Sequence, residues 1–213
     1  MKRFFIGLGF AQVGFALIIS AFFSACVDIN LKSELPKVDY YELDDIKADA
    51  QNCGAYTIIA LEGIEIPQSF AGRNIFYKEG NRIRNLDGIR LNDNLKSSLE
   101  SMIIKNFANH CIKAITPPFS GIKLEQFLRI KLLNFNANRG ADSSAESSVD
   151  SAEDSNAVVS FAYQIYQNGN ILQSGIITEY SAISDFNGEG IFNALQDSTK
   201  KAIRTLTDKI IPK

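Results

Sequence analysis

The sequence predicts an α+β fold: a two-layer sandwich whose mainly antiparallel sheet carries two long amphipathic helices on one face. Three observations predict it. The elements run strands, helix, strands, helix, an order that favours segregated layers over alternating βα units. Glycine-bearing turns at Glu79-Gly80-Asn81 and Gln167-Asn168-Gly169-Asn170 join neighbouring strands as hairpins. Two segments, Leu91 to His110 and Ile191 to Ile211, repeat apolar residues at spacings of three and four.

The chain begins with a leader. Met1-Lys2-Arg3 is a short positive stretch, Phe4 to Phe23 is apolar apart from Gln12 and Ser20, and Ser24-Ala25 places small residues before Cys26. That is the layout of a secretory signal peptide over residues 1–25. Phe23-Ser24-Ala25-Cys26 resembles a lipobox, which implies cleavage before Cys26 and acylation of its thiol; the motif usually has Leu where this chain has Phe23. The competing reading is an uncleaved membrane anchor, since about 20 apolar residues span a bilayer. The small-small-Cys junction favours the lipoprotein, and two or more acyl chains would hold it stably on a membrane. Lipoprotein sorting places inner-membrane retention on an Asp directly after the cysteine. Here that residue is Val27, which points to the outer membrane.

Residues 26–52 read as a lipidated N-terminus and tether, with Pro36 against regular structure and Val38 to Leu43 as a short edge strand. The folded domain is then expected over 53–213. Tyr56 to Ile66 is β-branched and aromatic, with Gly63 as a bulge and Pro67 as its end. Asn74 to Lys78 and Arg82 to Arg84 flank the first hairpin turn. In the first helix Leu95, Leu99, Met102, Ile103 and Phe107 make the apolar stripe, with Asn92 or Asp93 as N-cap. Pro117-Pro118 breaks the chain, and Leu124 to Phe135 reads as a long strand. Residues 137–156 hold five acids, one base and little apolar bulk, which predicts a disordered acidic loop. Val158 to Tyr166 and Ile171 to Tyr180 form the second hairpin. Phe192, Leu195, Ala202, Ile203, Leu206 and Ile210 stripe the last helix.

At 213 residues, 46% hydrophobic and 22% charged, the chain has the balance of one globular domain. Its formal charge of −2 becomes −4 once a leader bearing Lys2 and Arg3 is removed, so nothing attracts it to nucleic acid. Cys53 and Cys111 remain in the mature chain. An oxidising compartment allows them to pair, and two buried free thiols are the alternative. They lack the ligand spacing of a zinc site, so no metal is expected.

No catalytic constellation is expected, and no cofactor. His110 is the only histidine. A Cys111–His110 dyad would need two adjacent helical side chains to meet, although they point about 100° apart; a C-terminal helix-dipole contact suits His110 better. There is no P-loop and no dinucleotide fingerprint. Glu62 and Glu65, at an odd spacing, are expected on opposite faces of their strand, which removes a carboxylate pair.

Several local sequences resemble a known family. Tyr40-Tyr41-Glu42-Leu43, Ile64-Glu65-Ile66-Pro67, Phe70 and Arg73-Asn74-Ile75-Phe76-Tyr77 look like the early elements of the PqiC-like auxiliary lipoproteins of ABC-type lipid transport systems with MCE-domain proteins. The resemblance covers roughly residues 38–212. Many members carry Trp before the first long helix, where this chain reads Asp87-Gly88-Ile89-Arg90-Leu91, and the acidic insertion is longer than expected. The resemblance implies a non-enzymatic periplasmic partner in phospholipid movement between membranes. Such a partner would dock to the MCE-domain protein and its ABC transporter, with homo-oligomerisation compatible with that role. The rival reading is an outer-membrane assembly or pilot lipoprotein for a β-barrel or secretin. A third, a periplasmic hydrolase, would have to use His110.

Overall fold

A computed structural model describes residues 37–48, 53–119, 121, 123–140 and 155–211. The leader, Cys26 and residues 141–154 of the expected acidic loop lie outside the described residues. Eight strands form one mixed sheet, joined by two helices.

The strands are β1 (Asp39–Tyr41), β2 (Thr57–Glu65), β3 (Asn74–Glu79), β4 (Arg82–Leu91), β5 (Ile112–Ile115), β6 (Gln126–Arg139), β7 (Asn156–Gln167) and β8 (Asn170–Ala182). The helices are α1 (Leu95–Ala108) and α2 (Gly188–Ile210). Strand β6 is the spine. One edge pairs with β7 along almost its whole length. The other edge is shared end to end, with β2 beside its first half and β3 beside its last residues. Beyond β2 lies β5, and beyond β3 lie β4 and β1.

The sheet is therefore less antiparallel than expected. The hairpins β3/β4 and β7/β8 and the β6/β7 pair are antiparallel. The pairings β1/β4, β2/β5, β2/β6 and β3/β6 are parallel. Turn residues announce only neighbours in sequence; parallel pairs need crossovers, which leave no local signature.

Strand alternation and helix periodicity converge on one core. Ile59 and Leu61 of β2, Leu128, Ile130, Leu132 and Phe135 of β6, and Val159 and Phe161 of β7 are essentially inaccessible. They cluster with Leu99, Met102, Ile103 and Phe107 of α1 and Leu195, Ala202, Ile203 and Leu206 of α2. Both helices are capped as their sequences allow. Asn94 Oδ1 accepts from Ser97 N at 2.9 Å, and Asn187 Oδ1 accepts from Gly190 N at 2.8 Å. The α1 cap is thus Asn94 rather than Asn92 or Asp93, because β4 continues to Leu91 and Asn92 and Asp93 form the bend that leads from strand to helix. Between the helices, Asn106 Nδ2 donates to Thr207 Oγ1 at 2.6 Å inside the core.

Two expected boundaries move. Residues 37–48 belong to the same compact unit as 53 onward: β1 pairs with β4, and Leu43 is buried. Composition assigns this segment to the tether, but its apolar side chains dock on the core; Tyr41 lies 4.8 Å from Phe192 between ring centroids. At the acidic insertion, β6 runs on to Arg139 and β7 starts at Asn156. The ends of the insertion are fastened there, with Gly140 N donating to Ser155 Oγ at 3.0 Å. In the second hairpin turn, Asn168 and Gly169 both have positive φ, 50° and 80°, as a type I′ turn demands.

Candidate functional site

The face of β2, β6, β7 and β8 away from the core carries the residues that sequence reasoning left without a role. Its rows follow from the register. Arg129 lies beside Gln164, which faces Ser174, and Lys131 lies beside Ala162, which faces Ile176. Asn134, Ser160 and Thr178 make a third row, and Asn136, Val158 and Tyr180 a fourth.

At one end the side chains interlock. Arg129 donates to Glu62 through Nε at 3.0 Å and approaches it through a terminal nitrogen at 2.9 Å. Lys131 Nζ meets Glu65 Oε1 at 2.7 Å. The Arg129 guanidinium sits 5.7 Å from the Tyr166 ring centroid, within cation–π range. Tyr166 stacks on Phe127 at 5.4 Å, and Phe127 meets Phe119 edge-on at 6.0 Å. Partial burial raises the Tyr166 hydroxyl above its ordinary pKa, and the Glu62 carboxylate adds to the rise. The hydrogen bond and charge of Glu62 hold Arg129 more firmly protonated still. Two adjoining clefts of about 460 and 470 Å³ share Glu65 and Arg129. Arg129 and Lys131 are paired with Glu62 and Glu65, so these charges are met within the clefts, beside aromatic surface from Phe119.

Glu62 and Glu65 therefore share this face, which corrects the expectation that odd spacing separates them. The register slips between Leu61 and Ile64. Gly63, at φ 107°, takes up the extra residue of a bulge, and the inside-outside alternation resets. The bulge is further tied to α1 by Ile64 N donating to Glu100 Oε1 at 3.3 Å. The parity rule had a visible warning in Gly63 itself.

Toward β8 the face becomes apolar and open. Ile176 is 68% exposed and Tyr180 57%. These are the interface-type residues that the sequence analysis did not single out; the signal was present in the outward half of the β8 alternation.

Cys53 and Cys111 are joined in a disulfide, with Cα atoms 5.7 Å apart. Cys53 precedes β2 and Cys111 follows α1. The bond ties the β2–β5 edge of the sheet, where Thr57 N also donates to Cys111 O at 3.1 Å. It also removes Cys111 as a nucleophile for His110. The His110 Nδ1 lies 2.8 Å from the Asn106 carbonyl oxygen, in the last turn of α1. Tyr40 is 60% exposed while Tyr41 packs inward. Among the described residues no group of three or more His, Cys, Asp or Glu side chains is placed to hold a metal ion, and no helix is long and apolar enough to cross a membrane.

No protein-family model matches the chain, and no curated protein matches it. Solved structures do share its fold. A Xanthomonas campestris protein of family DUF330 superposes with a TM-score of 0.63 at 10% identity, covering 79% of this chain and 92% of its own. An uncharacterised protein superposes with a TM-score of 0.61 at 11% identity, over 82% of this chain and 99% of its own. At these identities the likeness is one of architecture.

Proposed function

We propose that the chain is a periplasmic lipoprotein, anchored through Cys26, that acts as a non-catalytic partner-binding component of an ABC/MCE-type intermembrane phospholipid transport system. The observation that carries this reading is the N-terminal layout: a positive start, an apolar run, two small residues and Cys26, with a compact unit starting eleven residues later at Lys37. The PqiC-like sequence elements at Tyr40–Leu43 and Ile64–Pro67 support the transport system in particular. In this reading both helices cover one face of the sheet and leave the other for the partner. The open face suits docking: it pairs its charges internally and exposes aromatic and aliphatic side chains, the composition favoured at the centre of protein interfaces. The outer membrane is the expected anchorage, given Val27 after the cysteine.

A photo-crosslinking residue placed at Gln164, in the middle of this face, tests the reading in cells. Crosslinks to an MCE-domain protein are the expected result. Crosslinks to a β-barrel or secretin would replace the transport role with the assembly or pilot role.

A further inference from the structure

The free edge of β8 stands out from the rest of the sheet. Among the described residues, strand β8 is hydrogen-bonded to β7 alone. Over thirteen residues it carries one charge, Glu179, and neither lysine nor proline. Natural edge strands are normally blunted by such residues, because an uncapped row of peptide groups recruits another strand. Here Leu172, Ile176 and Tyr180 are all more than half exposed. Lys201 Nζ donates to the Tyr180 carbonyl at 3.0 Å, so that carbonyl faces away from β7, and Lys201 covers the edge at that end only. Alternation puts the peptide groups of Thr178, Ile176 and Ser174 on the same free side.

We propose that β8 pairs antiparallel with β8 of a second copy of this chain, about a two-fold axis at Ile176, to make a symmetric dimer with one continuous sheet. The strand is complementary to itself in this register. Ile176 meets Ile176 of the second copy, Ser174 meets Thr178, and Gln173 meets Glu179; the regular ladder stops there, because the β7/β8 register slips at Leu172. Apolar faces apolar, hydroxyl faces hydroxyl, and no like charges oppose. A centre one residue along, at Ile177, would set Ile176 against Thr178 and Ser174 against Tyr180, losing both matches.

Helix α2 bears on both β7 and β8, so the two copies of α2 would lie about two strand spacings apart, roughly 10 Å. Helices pack at about that distance. The dimer stands independently of the transport reading.

The test uses the full processed chain extracted in detergent. Ile176→Cys should give a disulfide-linked dimer on mild oxidation, since a hydrogen-bonded antiparallel pair holds its Cα atoms about 5.5 Å apart. Ser174→Cys should not crosslink alone but should do so when mixed with Thr178→Cys. Light scattering should give a dimer for the unchanged chain and a monomer for Ile176→Lys, which places two like charges at the axis, with the circular dichroism spectrum kept. The proposal is overturned if the unchanged chain is monomeric, if Ser174→Cys crosslinks alone more readily than Ile176→Cys, or if Ile176→Lys leaves the assembly intact.

Discussion

Gly63 sets which carboxylates share a face, and its backbone explains why. At φ 107° it occupies a conformation that side chains with a Cβ rarely adopt. Gly63→Ala should cost about 1–3 kcal/mol of unfolding free energy in a denaturant titration, the usual range for strain of this kind. The Glu62–Arg129–Tyr166 group makes a second prediction. Burial is the main cause of the raised Tyr166 pKa, and the Glu62 carboxylate contributes next. Glu62→Gln should therefore lower the Tyr166 pKa toward the ordinary value without reaching it, as read by ultraviolet titration of tyrosinate. The linkage sign follows. A hydroxyl whose pKa is raised on folding contributes stability below its unfolded value, about 10. That contribution is lost as pH rises through the folded value. At this scale the sequence was readable for identity and less so for direction: Gly63 was visible as a bulge, yet the parity of Glu62 and Glu65 depends on counting the extra residue.

Among the elements, the helices were the most legible, because one apolar stripe every three or four residues repeats over many turns and outvotes local noise. The stripes of Leu95 to Phe107 and Phe192 to Ile210 both lie in the core. Their starts were less legible: Leu91 completes β4, and only the position of the last ladder pair moves the cap to Asn94. Strand β5 has four residues, Ile-Lys-Ala-Ile, too few to show a period before Pro117. The disulfide holds this short strand beside β2. In the loop-entropy picture, closing a 58-residue separation is worth about 4 kcal/mol. Reduction should lower the unfolding free energy by up to that amount, measured by denaturant titration with and without dithiothreitol. The helix pair offers a sharper mutation. Thr207→Val removes the acceptor for the buried Asn106 amide, and leaving that donor unmet should cost about 1–3 kcal/mol.

For the whole molecule, a strand-rich sheet with two helices was legible and the strand order was not. Hairpin turns reveal that β3 meets β4 and β7 meets β8, but nothing local says that β2 and β3 line up end to end along β6. That arrangement arises because β6 is longer than either strand and offers one edge to both. It also gives the open face its two characters, ion-paired and aromatic beside β2, apolar toward β8. The account's central claim lies at the other end of the chain, at Cys26. The most direct measurement is the intact mass of wild type and Cys26→Ala, with membrane fractionation of the same cells. The account predicts a wild-type chain that begins at a diacylated or triacylated Cys26 and sediments with the outer membrane, and a variant that keeps its leader. Wild type and variant both retaining residues 1–25, differing only by the cysteine-to-alanine mass, would contradict it and make the N-terminus an uncleaved anchor.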